Sequence, residues 1–359
     1  MIKSKAEFPI WKTKTEGVTK RFDLNDPIGR EEYFQAKAGR EIEALQKYLK
    51  DNTFVSFLLG KKNSGKGTYS KLFMEAVGVE NIKHLSVGDL VRDTHKNLTS
   101  LTARNELVKF LKKNYRGFHS AEETIDLIEG RNQTSLISTE LIVALMEYEL
   151  GKRDKQALFL DGFPRAMDQV NYSLYLKRLI GYREDPDMLV FISVPEAVID
   201  ERIKFRVICP KCQTPRNLKL LATKYVGLDE NTKEFYLMCD NQVCNKARMV
   251  RKEGDELGIE PIRKRLEVDD QVFDHLLGLH GIDKVYLRNS IPIDVALDYV
   301  DEYELTPEYY YQRGENGIVR TLEMPWTIKD DEGKLANSLL PAAVCVGLIK
   351  QTAQILGLV

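Results

Sequence analysis

The chain lacks any apolar run long enough to cross a bilayer. Its longest, Leu339 to Ile349, is stopped by Lys350, well short of the roughly 20 residues a spanning helix needs, and no early apolar stretch resembles a signal peptide. Charge of one sign is missing too. The 53 basic and 54 acidic residues leave a net charge of −1, which removes any general attraction to nucleic acid or to an anionic membrane. Repeats and low-complexity tracts are absent. A cytoplasmic protein with no membrane and no nucleic-acid partner is therefore expected, with a main domain plus insertions or a second small unit in its 359 residues. Cysteine is scarce, yet four of the five lie between Cys209 and Cys244. In a large intracellular chain such bunching points to metal ligation and away from disulfides.

What the sequence does have is a strand running into a phosphate cradle. Phe54 to Leu59 is apolar or small throughout, which suits a parallel strand covered on both faces. Gly60, Ser64, Gly65, Lys66, Gly67 and Thr68 follow as a glycine-rich loop before a periodic helix. Such a loop aims backbone N–H groups and the positive end of a helix dipole at phosphate, with the lysine as a point charge between outer phosphates. A plain glycine turn is the competing account, and the strand before it and helix after it argue against that. Lys62 and Asn63 stand where proline and glycine are usual, and asparagine tolerates the left-handed backbone such a turn requires.

The rest of the chain arranges itself around this loop. The spacing predicts a helix over Arg30 to Lys50 with Tyr33, Ala36, Ile42, Leu45 and Leu49 inward, a strand over Ile82 to Ser86, and a helix opened by Gly88-Asp89-Leu90-Val91-Arg92. Helical patterns cover Asn97 to Tyr115, Ser120 to Glu129 with a capping box of Ser120 and Glu123, and Thr139 to Leu150. The strand Ala157 to Leu160 ends in Asp161-Gly162-Phe163-Pro164-Arg165, and an acid at that position beside a phosphate loop is suited to organising magnesium. Gln169 is expected on one helix face with Arg165, and Arg206 on one face with Arg202, after the strand Met188 to Val194. Further on, a helix is expected over Ile262 to Leu276, a last core strand over Lys284 to Leu287 and a last core helix over Ile293 to Glu302. The tail holds Tyr309-Tyr310-Tyr311, Trp326 and an apolar helix, Pro341 to Leu356, that something must cover. Docking on its own core is one answer and a symmetric homodimer the other.

Cys209 and Cys212 form one pair and Cys239 and Cys244 another, with 26 residues between the pairs. Each pair can fold as a knuckle, and four thiolates satisfy a tetrahedral Zn²⁺ with no open position, the mark of a structural site. Asp240 is the alternative fourth ligand, and the sulfurs are preferred.

Taken in order, GKGT at Gly65 to Thr68, SVGDLVR at Ser86 to Arg92, DGFPRAMDQ at Asp161 to Gln169, ERIKFR at Glu201 to Arg206, the four cysteines and IRKRLE at Ile262 to Glu267 resemble an adenylate kinase, within the nucleoside monophosphate kinases. The resemblance covers about Phe54 to Asp301. It implies an α/β fold with a five-stranded parallel P-loop sheet, helices on both faces, a monophosphate-binding insert at about 87–156 and a zinc-bearing lid at about 207–253. Residues 1–52 and 303–359 become terminal extensions around a core of 53–302.

By the same resemblance Gly60, Ser64, Gly65, Lys66, Gly67, Thr68, Arg202 and Arg206 bind ATP. Val87, Gly88, Arg92, Gly162, Arg165 and Gln169 bind AMP. Lys66, Arg92, Arg165, Arg206, Arg251 and Arg265 act on the transferring phosphoryl group, while Asp89 and Asp161 order the waters of Mg²⁺. ATP, AMP and ADP are the implied partners, with the chain a monomer or a homodimer through its extensions. Two other readings remain open: a kinase of UMP, CMP or another nucleoside monophosphate, and a nucleotide-responsive RNA- or protein-binding module on the same fold. The sequence departs from the family pattern in about twenty extra residues between Arg92 and Asp161, in Val87 where threonine is frequent, and in three extra residues between Arg251 and Arg265.

Overall fold

Side chains of the first strand alternate between two cores, so the sheet is buried on both faces. The computed structural model describes residues 8–17, 20–130, 138–152, 154–314 and 318–359; the start of the N-terminal stretch and residues 131–137 and 153 of the expected insert lie outside them. Helix α1 (Pro27–Tyr48) precedes β1 (Val55–Leu59), and α2 (Lys66–Val77) leads to β2 (Ile82–Ser86). Val55, Phe57 and Leu59 enter one core, Phe54 and Leu58 the other. The register of α1 differs from the expected one because Ala38 is non-helical (φ −150°). Ala36 is consequently exposed, while Lys37 is buried and pairs with Asp301 at 2.8 Å.

Four helices follow: α3 (Val87–Asn97), α4 (Leu101–Asn114), α5 (Ala121–Glu129) and α6 (Thr139–Leu150). Ser86, Ser100, Ser120 and Ser138 cap them in turn, each hydroxyl accepting the backbone N–H three residues on, a contribution of about 1 kcal/mol per cap. The cap at Ser100 is why the expected helix from Asn97 begins only at Leu101. The capping box of Ser120 and Glu123 is present.

Next come β3 (Ala157–Asp161), α7 (Met167–Leu179), β4 (Asp187–Ser193) and α8 (Glu196–Lys204). A small unit of β5 (Arg206–Ile208), β6 (Pro215–Asn217), β7 (Tyr225–Leu228), β8 (Phe235–Met238) and β9 (Val250–Arg251) interrupts the core, which resumes with α9 (Arg263–Leu277) and β10 (Asp283–Arg288). The main sheet is parallel in the order β10-β4-β1-β3-β2. Crossovers between parallel strands place the loops at their carboxyl ends on one edge, which is where ligands bind in open α/β sheets.

The expected helix over Ile293 to Glu302 is mostly something else. Ser290–Pro292 forms β11, and only Ala296–Tyr299 is helical, as α10. The reason is a long-range ladder in which β11 pairs with β15 (Leu335–Ser338) and β15 with β14 (Ile328–Lys329). Between these, β12 (Pro307–Arg313) and β13 (Val319–Pro325) make an antiparallel hairpin. The apolar helix α11 (Pro341–Ile355) docks on α1, α2 and β10 of its own chain, with Cys345 fully buried. Gln351 of α11 accepts from the backbone N–H of Tyr286 and donates to its carbonyl, both at 2.9 Å. A side-chain amide thereby satisfies the backbone of Tyr286 on the open edge of β10, a row of groups that can template pairing with another chain.

Candidate active site

The loop after β1 closes so tightly that only glycine fits its first position. Gly60 lies at φ +154°, and a Cβ there would meet the Ile192 carbonyl oxygen at 2.8 Å. Asn63 takes the left-handed conformation at φ +66° that its side-chain type tolerates. The Lys66 Nζ donates to the carbonyls of Gly60 at 2.8 Å and Lys61 at 3.0 Å. Gly65 caps α2, Thr68 is exposed in its first turn, and Ser64 is buried with its hydroxyl unpartnered among the described residues.

Beside this loop, at the carboxyl ends of β1 and β3, a cavity is lined by Gly60, Lys66, Gly162, Arg165, Arg265 and Asp269. Burial lowers the Lys66 pKa, partly offset by Asp161 and Asp269. Arg165 is lowered by burial first and then by Arg265, and Lys62 by burial, Arg265, Lys252 and Arg206. The charge of a polyanion would relieve the repulsion that adds to burial at these cations.

The geometry differs from the expected helix faces at two places. Arg165 precedes α7, which begins at Met167, so Arg165 and Gln169 are not one turn apart on a helix. Instead the buried Gln169 accepts the Arg165 backbone N–H at 2.8 Å, leaving its NH₂ group and a second lone pair on its oxygen for a ligand. Arg206 lies beyond the end of α8, in β5, and Asp255 holds it by two hydrogen bonds of 2.7 Å. Arg202 stays on α8 and donates to the carbonyls of Asn63 at 3.4 Å and Ser64 at 3.5 Å and to Asn289 at 3.3 Å.

Other expected residues stand apart from the cavity. Arg92 and Asp89 form an exposed ion pair on α3, with Gly88 beneath the guanidinium and Val87 buried. Arg251 is exposed in β9, and neither it nor Arg206 lines the cavity. Asp161 ends β3 opposite Leu58 of β1. Sequence reasoning missed Asp269, Asp255 and Asn289. Only Asp269 carried a local signal, four residues after Arg265 and hence on its face of α9.

The cysteines come together as their spacing requires. The sulfurs of Cys209, Cys212, Cys239 and Cys244 all lie within 4.8 Å of one another, with Cys212 and Cys239 3.6 Å apart. Tetrahedral zinc at about 2.3 Å from each sulfur separates them by about 3.8 Å, so the cluster fits that ion. Hydrogen bonding to Thr214 brings the Cys212 thiol down to about 6, whereas burial and its neighbouring thiols push Cys244 up to about 12. Four thiolates this close need a cation to ionise together.

An adenylate kinase of Clostridium novyi is 30% identical over 225 residues, covering 62% of this chain and 85% of the relative. The chain belongs to the adenylate kinase family. A probable chloroplastic adenylate kinase of rice (Oryza sativa) is 30% identical over 263 residues, 72% of this chain and 76% of the relative. An adenylate kinase of Thermotoga petrophila is 29% identical over 246 residues, 68% of this chain and 84% of that protein. No protein-family model matches the chain. Among the described residues no helix is long and apolar enough to cross a membrane.

Proposed function

We propose that this family member catalyses reversible phosphoryl transfer from MgATP to AMP, giving two ADP. The observation that carries the reading is the convergence of Lys66, Arg165 and Arg265 on one cavity beside the phosphate loop. Phosphoryl transfer needs little covalent help from a protein; it needs two nucleotides in line, neutralised equatorial oxygens and exclusion of water. In this account Gly60, Ser64, Gly65, Lys66, Gly67 and Thr68 hold the ATP phosphates, and Arg202 and Arg206 act at its base and phosphates. Val87, Gly88, Gly162 and Gln169 receive AMP, whose phosphate is gripped by Arg92 and Arg165. Arg206, Arg251 and Arg265 surround the group in transit after the lid closes, and closure before transfer prevents hydrolysis of ATP.

Mg²⁺, its waters ordered by Asp161 and Asp89, would neutralise charge on the ATP phosphates. Zinc as the lid metal and the cytoplasm as compartment belong to the same reading. Gln169 sets the acceptor: an amide reading adenine is left unpaired by a pyrimidine, a mismatch worth roughly 10⁴ in specificity at favourable sites. Initial rates with ATP and a panel of nucleoside monophosphates test this. AMP should be strongly preferred, and comparable turnover with UMP or CMP would overturn the assignment.

A further inference from the structure

The C-terminal hairpin reaches across the molecule to the zinc-bearing unit. At its root the Thr306 N–H donates to the Ser338 carbonyl at 2.8 Å, and Leu305 bridges to Leu339, so the hairpin is fastened to the β11-β15-β14 sheet. Near the base of the lid, the Tyr309 N–H donates to the Lys219 carbonyl at 2.7 Å, and Lys219 lies between Glu201 of α8 (2.6 Å) and Glu308 of the hairpin (3.4 Å). Beside Lys219 the Tyr311 hydroxyl donates to the Leu218 carbonyl at 2.6 Å, and farther out the Tyr311 ring packs on Phe235, with 5.7 Å between centroids. Arg313 pairs with Glu230 at 3.1 Å, and β13 lies against β7. Tyr311 also joins the small core around the cysteine cluster.

We propose that the β12–β13 hairpin is a strap that holds the lid in the position seen here and raises the cost of closing it over ATP. The contacts divide by their distance from the hinge. Those at Lys219 sit beside α8, where rotation moves little, and can persist through closure. Those of Tyr311 with Phe235 and of Arg313 with Glu230 lie on the far part of the lid and must part when it swings toward Lys66, because the root of the hairpin is fixed to the core. The strap therefore opposes the ATP-bound closed state and favours reopening, the step that limits turnover in many lidded enzymes. Its worth is chiefly the ring contact of Tyr311 with Phe235, since the half-buried Tyr311–Leu218 hydrogen bond stands next to Lys219 and persists with it, and the exposed ion pair adds little.

The inference rests on the kinase reading only in taking the β5–β9 unit as a lid that closes on ATP. The test uses the full chain with Tyr311→Ala and Tyr311→Phe, measuring ATP binding, KM for each nucleotide, kcat, zinc content and hydrogen exchange. Tyr311→Ala should tighten ATP binding about fivefold, as loss of the ring contact implies, with kcat lowered and the KM for AMP unchanged. Tyr311→Phe, which keeps the ring contact and loses only the hinge-side hydrogen bond, should bind ATP like the native chain. In the native chain, a bisubstrate analogue of two adenosines joined through phosphates should speed exchange at the β12 amides as the strap lets go. Unchanged or weaker ATP binding in zinc-replete Tyr311→Ala would overturn the strap, as would slower β12 exchange with the analogue, which would mean that the hairpin travels with the lid. Should Tyr311→Ala lose zinc, native-chain exchange decides. A native chain that does not bind ATP would instead overturn the kinase reading.

Discussion

The backbone N–H of Lys62 donates to the carboxylate of Asp269 at 2.9 Å, fastening the phosphate loop to α9 one helical turn from Arg265. A proline at position 62, the residue usual in such loops, has no N–H to give. The departure from the usual loop therefore has a partner elsewhere in the chain, and the flanking Lys61 repeats the arrangement through Glu196 at 2.8 Å and Asp270 at 3.3 Å.

Asp269→Ala leaves the Lys62 N–H without its acceptor, a loss of about 1 to 3 kcal/mol where such a donor is buried. The phosphate loop is then less well positioned, and if it receives ATP as proposed, KM for ATP should rise about fivefold or more with KM for AMP little changed. Asp269→Asn keeps an acceptor and should lose less. Steady-state kinetics with each nucleotide varied separately checks this, and a native KM for ATP in the alanine variant counts against the role.

Much of this molecule could be read from its sequence, and the legible parts share a physical cause. The strands at Val55–Leu59 and Ala157–Asp161 announce themselves by continuous burial, and the phosphate loop and cysteine pairs by local chemistry at fixed spacing. What failed depended on partners far along the chain. Ser290–Pro292 becomes a strand because Ala336, Asn337 and Ser338 are there to pair with it. Arg206 leaves the face of Arg202 because α8 stops at Lys204 and Asp255 holds the guanidinium. The docking of Tyr311 on Phe235 had no local signal at all, since both look like ordinary half-buried aromatics of separate units.

The two extensions meet at a buried carboxylate, and its titration should be visible in stability. Glu304 is fully buried and accepts from Thr13 at 2.8 Å, from the Asp301 N–H at 2.5 Å and from the Tyr33 hydroxyl. Burial raises its pKa despite those donors and Lys37. A carboxyl raised in the folded state binds its proton more tightly there than in the unfolded chain. Its contribution is complete below the unfolded value, about 4.3, and is lost as pH rises through the folded one. Glu304→Gln is neutral throughout, so its melting temperature relative to the native chain should climb as pH goes from about 5 to 8. Melting curves of both proteins across that range test the sign, and a flat or falling difference contradicts it.

The lid should come apart before the sheet when its metal is removed. Its own core is a handful of residues, Val207, Leu237 and Met249 around the cysteines, too small a cluster to fold without a further tie. The sheet, by contrast, is buried between two extensive cores that contain no cysteine of the cluster. Cys209, Cys212, Cys239 and Cys244 should therefore hold one structural zinc, and a chelator or Cys212→Ser should produce a separate, earlier melting transition confined to β5–β9. Transfer should weaken with it, because Arg206 and Arg251 flank the cluster in β5 and β9 and would no longer be presented as a unit. Elemental analysis of the purified chain, followed by calorimetry with and without chelator, decides the matter. A chain without zinc, or a chelated chain whose melting profile is unaltered, would mean that the lid is held by its packing and by the hairpin, with the sulfurs as bystanders.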